Sequence, residues 1–113
     1  MYSFEYLLMM SDSILILSGA TMYWFSPRLK RNWVLGYGTP RSMINDNTWQ
    51  AANRFAGMVT ALLALTAMAL HVTLWPLINE NDKAQAFTVA SLLSLPLVVM
   101  YLTEKYLSRV FRN

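Results

Sequence analysis

Few side chains in this 113-residue chain could carry catalysis, and their scarcity narrows the field. Cysteine is absent and His71 is the single histidine. Thiolate nucleophiles, disulfides, cysteine metal sites and paired-histidine ligation within one chain are thereby excluded. Asp12 and His71 stand out because both fall inside apolar runs. A carboxylate within a membrane span is a functional-site hypothesis by default. Counting from the ends of their runs puts Asp12, His71 and Ser91 at comparable depth, with Thr88 one turn from Ser91. This predicts a polar layer in which Asp12 pairs with His71. The layer is either a proton-responsive site or a contact for an incoming peptide. The alternative is a packing hydrogen bond, or an Asp12 side chain that reaches the nearer interface. A lone histidine also suits haem or chlorophyll ligation in a larger assembly, but the chain alone implies no cofactor. The sequence has no G-x-x-x-x-G-K-[ST], G-x-S-x-G or H-E-x-x-H pattern, and no clustered acid, base and nucleophile. An enzyme is not expected.

The elements that position these groups follow from composition. Hydrophobic residues make up 56% of the chain and charged ones 13%, with mean hydropathy +0.34. A soluble domain carries about 25% charged residues. Three apolar runs, about Leu7–Phe25, Phe55–Ile78 and Ala84–Tyr101, contain Asp12 as their one charged side chain. A helix needs about 20 residues to cross a bilayer core. The expected fold is an all-α membrane protein of three transmembrane helices, over about 4–25, 46–78 and 84–107. The first run is not read as a cleaved signal peptide. It begins MYSFEYLL, without basic residues, and ends YWFSPRLKR, an aromatic belt with a positive flank.

Basic residues set the expected orientation. Arg28, Lys30, Arg31, Arg41 and Arg54 lie between runs one and two, and Lys105, Arg109 and Arg112 follow run three. The opposite side holds only Lys83. The positive-inside rule puts the N-terminus and the 79–83 loop outside, and the basic loop and C-terminus in the cytoplasm. Tyr23, Trp24, Trp33, Trp49, Tyr101 and Tyr106 then fall near the inner interface and Trp75 near the outer one. Trp49 is read as an interface anchor. Nucleic acid is not expected as a partner.

The loop from Ser26 to Asn53 is the one sizeable non-spanning segment. Pro27 ends or bends helix one. Gly36 and Gly38 allow a sharp turn about Tyr37. Thr39-Pro40 suits a cap and first turn, and Asn45 or Asp46 an N-cap. From there NDNTWQAANRF reads as an interfacial helix leading into span two. Trp49, Ala52 and Ala56 share one face; Gln50, Asn53 and Arg54 are assigned to another. Pro96 interrupts helix three and frees the carbonyl near Leu92, for which Ser91 or Ser94 is a candidate partner. Gly19, Ala20, Gly57 and Ala61 suit close helix contact.

The stretch NWVLGYGTPRSMINDNTWQAANRFAG resembles the signature of the SdpI family of small bacterial integral-membrane proteins. The matching residues are Asn32, Gly36, Tyr37, Thr39, Pro40, Arg41, Ser42, Trp49, Ala52, Asn53, Arg54 and Gly57. One position departs: Gly38 stands where the family carries arginine. The resemblance implies one membrane domain over residues 1–113, in the bacterial inner membrane. The family's namesake protects its producer from a secreted toxic peptide and holds a repressor at the membrane. By that resemblance the chain acts by binding, in immunity or signalling. The other class is a small accessory subunit of a larger respiratory or photosynthetic membrane complex. Tyr37, Thr39, Arg41, Ser42, Trp49, Asn53 and Arg54 are the candidate contacts, for anionic lipid head groups, for a protein partner or for a second copy. The basic residues otherwise serve topology alone, and the hydroxyl and amide groups only complete the loop's own backbone.

Overall fold

The computed structural model describes residues 4–33 and 35–111. Arg112, counted above among the basic tail residues, lies outside them. Helix α1 spans Phe4–Trp24, α2 Asp46–Thr73, α3 Trp75–Asn79 and α4 Asp82–Val110. A 3-10 turn, Ser26–Arg28, follows α1 with Pro27 inside it. Three helices are long and apolar enough to cross a membrane. At about 1.5 Å per residue, the 28 residues of α2 reach roughly 42 Å, more than a hydrocarbon core of about 30 Å. This is an all-α, multi-pass membrane protein.

The three long helices match the expected spans, with two differences. Span two does not run unbroken to Ile78. Pro76 has no N–H to continue the ladder and disfavours helical geometry before it, so α2 ends at Thr73 and α3 restarts at Trp75. The Leu77 and Ile78 amides both donate to Leu74 O at 3.0 Å across this break. Helix α4 begins earlier than expected because Asn81 caps it, accepting from the Lys83 and Ala84 amides at 2.9 and 3.2 Å. Pro96 lies within a continuous α4. The serine hydroxyls do not serve the Leu92 carbonyl: Ser91 donates to Phe87 O and Ser94 to Ser91 O.

Helix α2 is the central element. It packs along α1 and, less extensively, against α4, whereas α1 and α4 do not pack on each other. The molecule extends 50 × 23 × 19 Å. Its interior is poor in large apolar groups: Asp12, Ser42, Asn53 and Thr103 are fully buried, while Leu17, Phe87 and Leu93 are two-thirds exposed or more. In water this would be inverted, but a bilayer solvates apolar surface and leaves the interior to polar pairing and tight contact.

The tight contact is between glycines. A Cβ on Gly19 would lie 2.6 Å from Ala61 N and 2.8 Å from Gly57 O, and one on Gly57 would meet Tyr23 N and Gly19 O. The backbones of α1 and α2 therefore touch, as small-residue pairs permit. Replacing Gly57 by Leu forces main chain apart rather than displacing a flexible side chain. We expect Gly57→Leu to destabilise the protein by about 3 kcal/mol. Thermal unfolding in detergent micelles reads this as a large fall in midpoint, and an unchanged midpoint would refute the contact.

Candidate functional site

The loop between α1 and α2 is closed by its own side chains. Its turn begins at Gly36, whose φ of +95° is a left-handed conformation that favours glycine. A Cβ there would also strike Asn53 Oδ1, so glycine is required twice over. Asn53, fully buried on α2, accepts from the Tyr37 amide at 2.7 Å and donates to Tyr37 O at 3.3 Å and Trp49 O at 2.9 Å. One side-chain amide thus binds both backbone groups of Tyr37. Asn53 shares the inward side with Trp49, so the expected grouping of Asn53 with Gln50 and Arg54 is corrected. Trp49 is likewise no interface anchor. It is 1% exposed and its Nε1 donates to Ser26 O at 2.9 Å, tying α2 to the turn after α1.

After Gly38 the chain makes a single turn. The Met43 amide donates to Thr39 O at 3.0 Å. Ser42 Oγ accepts from the Thr39 amide at 2.8 Å, and Thr39 Oγ1 from the Ser42 amide at 3.2 Å. Asn45 then caps α2 in a reciprocal box: Asn45 Oδ1 accepts from Thr48 N, and Thr48 Oγ1 from Asn45 N. The loop also reaches α4. Tyr37 Oη donates to Glu104 Oε2 at 2.7 Å, Thr39 Oγ1 to the same oxygen at 3.0 Å, and Arg41 Nε lies 3.8 Å from Glu104 Oε1. Burial, and then the Glu104 carboxylate, push the Tyr37 phenol above its ordinary 10.0. Glu104 was not foreseen. Its sequence signal was a carboxylate just past the last apolar run, on a side otherwise dominated by Lys and Arg.

The signature side chains therefore divide. Tyr37, Thr39, Ser42, Trp49 and Asn53 bond within the protein, and Arg41 is half-engaged with Glu104. Arg54 points away from the loop, exposed, into a cleft lined by α1, α2 and α4. Arg31 pairs with Asp46 at 3.4 Å, and Arg28 stacks over Trp24 at 4.1 Å. At Gly38, where the resemblance implies an arginine, φ is not left-handed, and a Cβ would lie 3.2 Å from Asn32 O. That glycine is not required by backbone conformation.

At the far end of the helices, Asp12 and His71 meet. Asp12 Oδ2 lies 2.6 Å from His71 Nδ1, with Asp12 fully buried and His71 8% exposed. With Asp12 ionised, Nδ1 carries the proton and the carboxylate accepts. Asp12 Oδ1 is buried without a partner among the described residues. Ser91 does not join the pair; it is half-exposed and bonded within α4. Among the described residues, no group of three or more His, Cys, Asp or Glu side chains could hold a metal.

Two outcomes follow. Tyr37→Phe should cost about 1 kcal/mol and remove the tyrosine that ionises last in an alkaline ultraviolet titration. The sign follows from linkage. A phenol raised on folding contributes stability below pH 10.0, and this contribution is lost as pH rises toward the folded value. The wild type should therefore lose stability in that range relative to Tyr37→Phe, and parallel pH profiles would refute the contact. Asp12→Asn should change the 15N shifts of both His71 ring nitrogens and cost about 1 kcal/mol; unchanged ring shifts would mean the pair does not form.

No curated protein and no solved structure matches this chain significantly. The SdpI/YfhL protein family model matches residues 28–103, from the turn after α1 through the loop and α2 to α4 at Thr103. That segment is more than half of the chain and contains the signature and its Asn53 lock. The chain therefore belongs to the SdpI/YfhL protein family.

Proposed function

We propose that this protein acts by binding, without catalysis, as an immunity or signalling protein of the bacterial inner membrane. The observation that carries this reading is the braced loop. Six polar side chains, those of Tyr37, Thr39, Ser42, Thr48, Asn53 and Glu104, hold the irregular backbone of the loop against α2 and α4. Such bracing makes a stiff platform that exposes Arg41 and the side chains of Trp33, Leu35 and Ile44. Basic and apolar groups on a preorganised surface suit recognition of an acidic partner with an apolar ridge. The charge bias toward this side supports a cytoplasmic loop and an external α3. Asp12 and His71 then lie in the outer half, where an extracellular peptide would first meet the protein.

A second reading, accessory subunit of a larger membrane complex, is favoured by the unpacked side between α1 and α4. Two adjoining hollows of about 330 and 500 Å³ share Leu15 and Pro96 there, and a partner helix would fill them.

The test is a toxin challenge. A sensitive bacterium expressing the protein should survive a secreted toxic peptide from the producing strain. Arg41→Gln should retain survival but lose membrane recruitment of a repressor encoded beside the gene, whereas Asp12→Asn should lose survival. No protection by the wild type, together with loss of a large native complex on gene deletion, would favour the accessory-subunit reading instead.

A further inference from the structure

The cleft around Arg54 has a composition that neither the loop lock nor the Asp12–His71 pair explains. It lies between the end of α1, the first three turns of α2 and the end of α4, with a volume of about 710 Å³. Asn47, Gln50 and Arg54 face it from α2 at helical spacings of three and four, Tyr23 from α1 and Tyr106 from α4. All five side chains carry hydrogen-bond donors. None of them has a hydrogen bond or carboxylate partner among the described residues, and no Asp or Glu lines the cleft. Tyr106 is fixed by stacking on Phe55, with ring centroids 4.3 Å apart and planes within 3°. A guanidinium beside unpartnered amide and phenol donors, without a counter-charge, is complementary to an oxyanion.

The apolar side of the cleft decides which oxyanion. Phe55 and Met58 line it toward the apolar span, and Phe55 opens a run to Ile78 that has no Lys, Arg, Asp or Glu. The cleft thus crosses from a polar rim into apolar surface within about one helical turn. An acidic peptide entering it would leave backbone amides unpaired at the apolar end. A phospholipid meets both requirements, with its phosphate at the rim and its acyl chain over Met58.

We propose that this cleft is a binding site for one anionic phospholipid of the leaflet on the loop side. Its phosphate is held by Arg54 with Gln50 and the Tyr23 and Tyr106 hydroxyls. The site rests on the three spans lying in a membrane and stands apart from the immunity reading, which concerns the loop platform and the Asp12 end. It gives Arg54, the outward member of the signature pair Asn53-Arg54, a role distinct from that of its neighbour.

The experiment uses the full chain in nanodiscs of phosphatidylcholine, with and without phosphatidylglycerol, followed by release into detergent and native mass spectrometry. The wild type should retain one phosphatidylglycerol per chain, in preference to phosphatidylcholine. Arg54→Gln should lower that retention about tenfold, the equivalent of about 1.4 kcal/mol. Arg109→Gln, a basic residue of the same side outside the cleft, should leave it unchanged. If Arg54→Gln fails to fold, the Tyr23→Phe/Tyr106→Phe double variant keeps both rings and should lower retention several-fold. Equal retention of the two lipids, or equal losses for Arg54→Gln and Arg109→Gln, would overturn the site. Displacement of the lipid by millimolar inorganic phosphate would overturn its assignment to a lipid. In the wild type, preferential lipid retention without toxin protection would refute only the immunity reading, and toxin protection without preferential retention would refute only the lipid site.

Discussion

The pairing of irregular backbone at the edge of a membrane is the constraint on which the rest of this structure depends. A chain that leaves one span and enters the next must turn where water is scarce, and each unpaired amide or carbonyl there is costly. Asn53 meets this constraint from within α2 by binding both backbone groups of Tyr37. Its position imposes glycine at residue 36, since any Cβ would strike its Oδ1. It also turns the loop so that the Tyr37 and Thr39 hydroxyls reach one carboxylate oxygen of Glu104. Loop, α2 and α4 are thus joined by a single side-chain amide and a single carboxylate. Because α1 and α4 make no direct packing contact, α4 is held to the remainder by this joint at one end, by the α2–α4 seam, and by packing on α3 at the other end.

Lipid as the solvent changes which interactions specify the fold. Apolar side chains gain little by leaving hydrocarbon, so burial of Leu and Phe cannot select one arrangement of helices. Backbone contact at Gly19 and Gly57 can, because a Cβ at either position would strike main chain of the facing helix. Polar pairing acts at the other end, where the Asp12–His71 bond joins the same two helices across 59 residues of sequence. The two devices lie on either side of the helix pair's midpoint and together fix its rotation and its height. The pair is incompletely satisfied, however: Asp12 Oδ1 has no partner among the described residues, and native proteins keep few such buried groups.

Much of this was legible in the sequence, and the exceptions share a cause. The three spans were readable because length, hydropathy and flanking charge are additive along the chain. The Asp12–His71 meeting was readable because membrane topology converts sequence position into depth, which reduces a three-dimensional search to one dimension. Trp49 was misread because aromatic belts are a statistical tendency of the boundary, and an indole N–H finds a buried carbonyl equally well. Asn53 was assigned to the wrong face, since its role depends on where the loop returns, and a helical wheel does not contain the loop. Glu104 was missed for the same reason. Its hydrogen-bond partners lie 65 and 67 residues away and no periodicity announces them.

The family signature contains two adjacent polar residues that do opposite things. Asn53 is fully buried and bonded to the loop, while Arg54 is exposed and bonded to nothing among the described residues. One helical step of about 100° separates their directions. Every other signature contact that stabilises the loop can be traced to a hydrogen bond within the chain, so a requirement for folding accounts for Asn53 and not for Arg54. A cation placed where the charge-free run of α2 begins has a desolvation cost, which no ion pair among the described residues offsets. Among the described residues no carboxylate faces Arg54, and the donors beside it suit an anion.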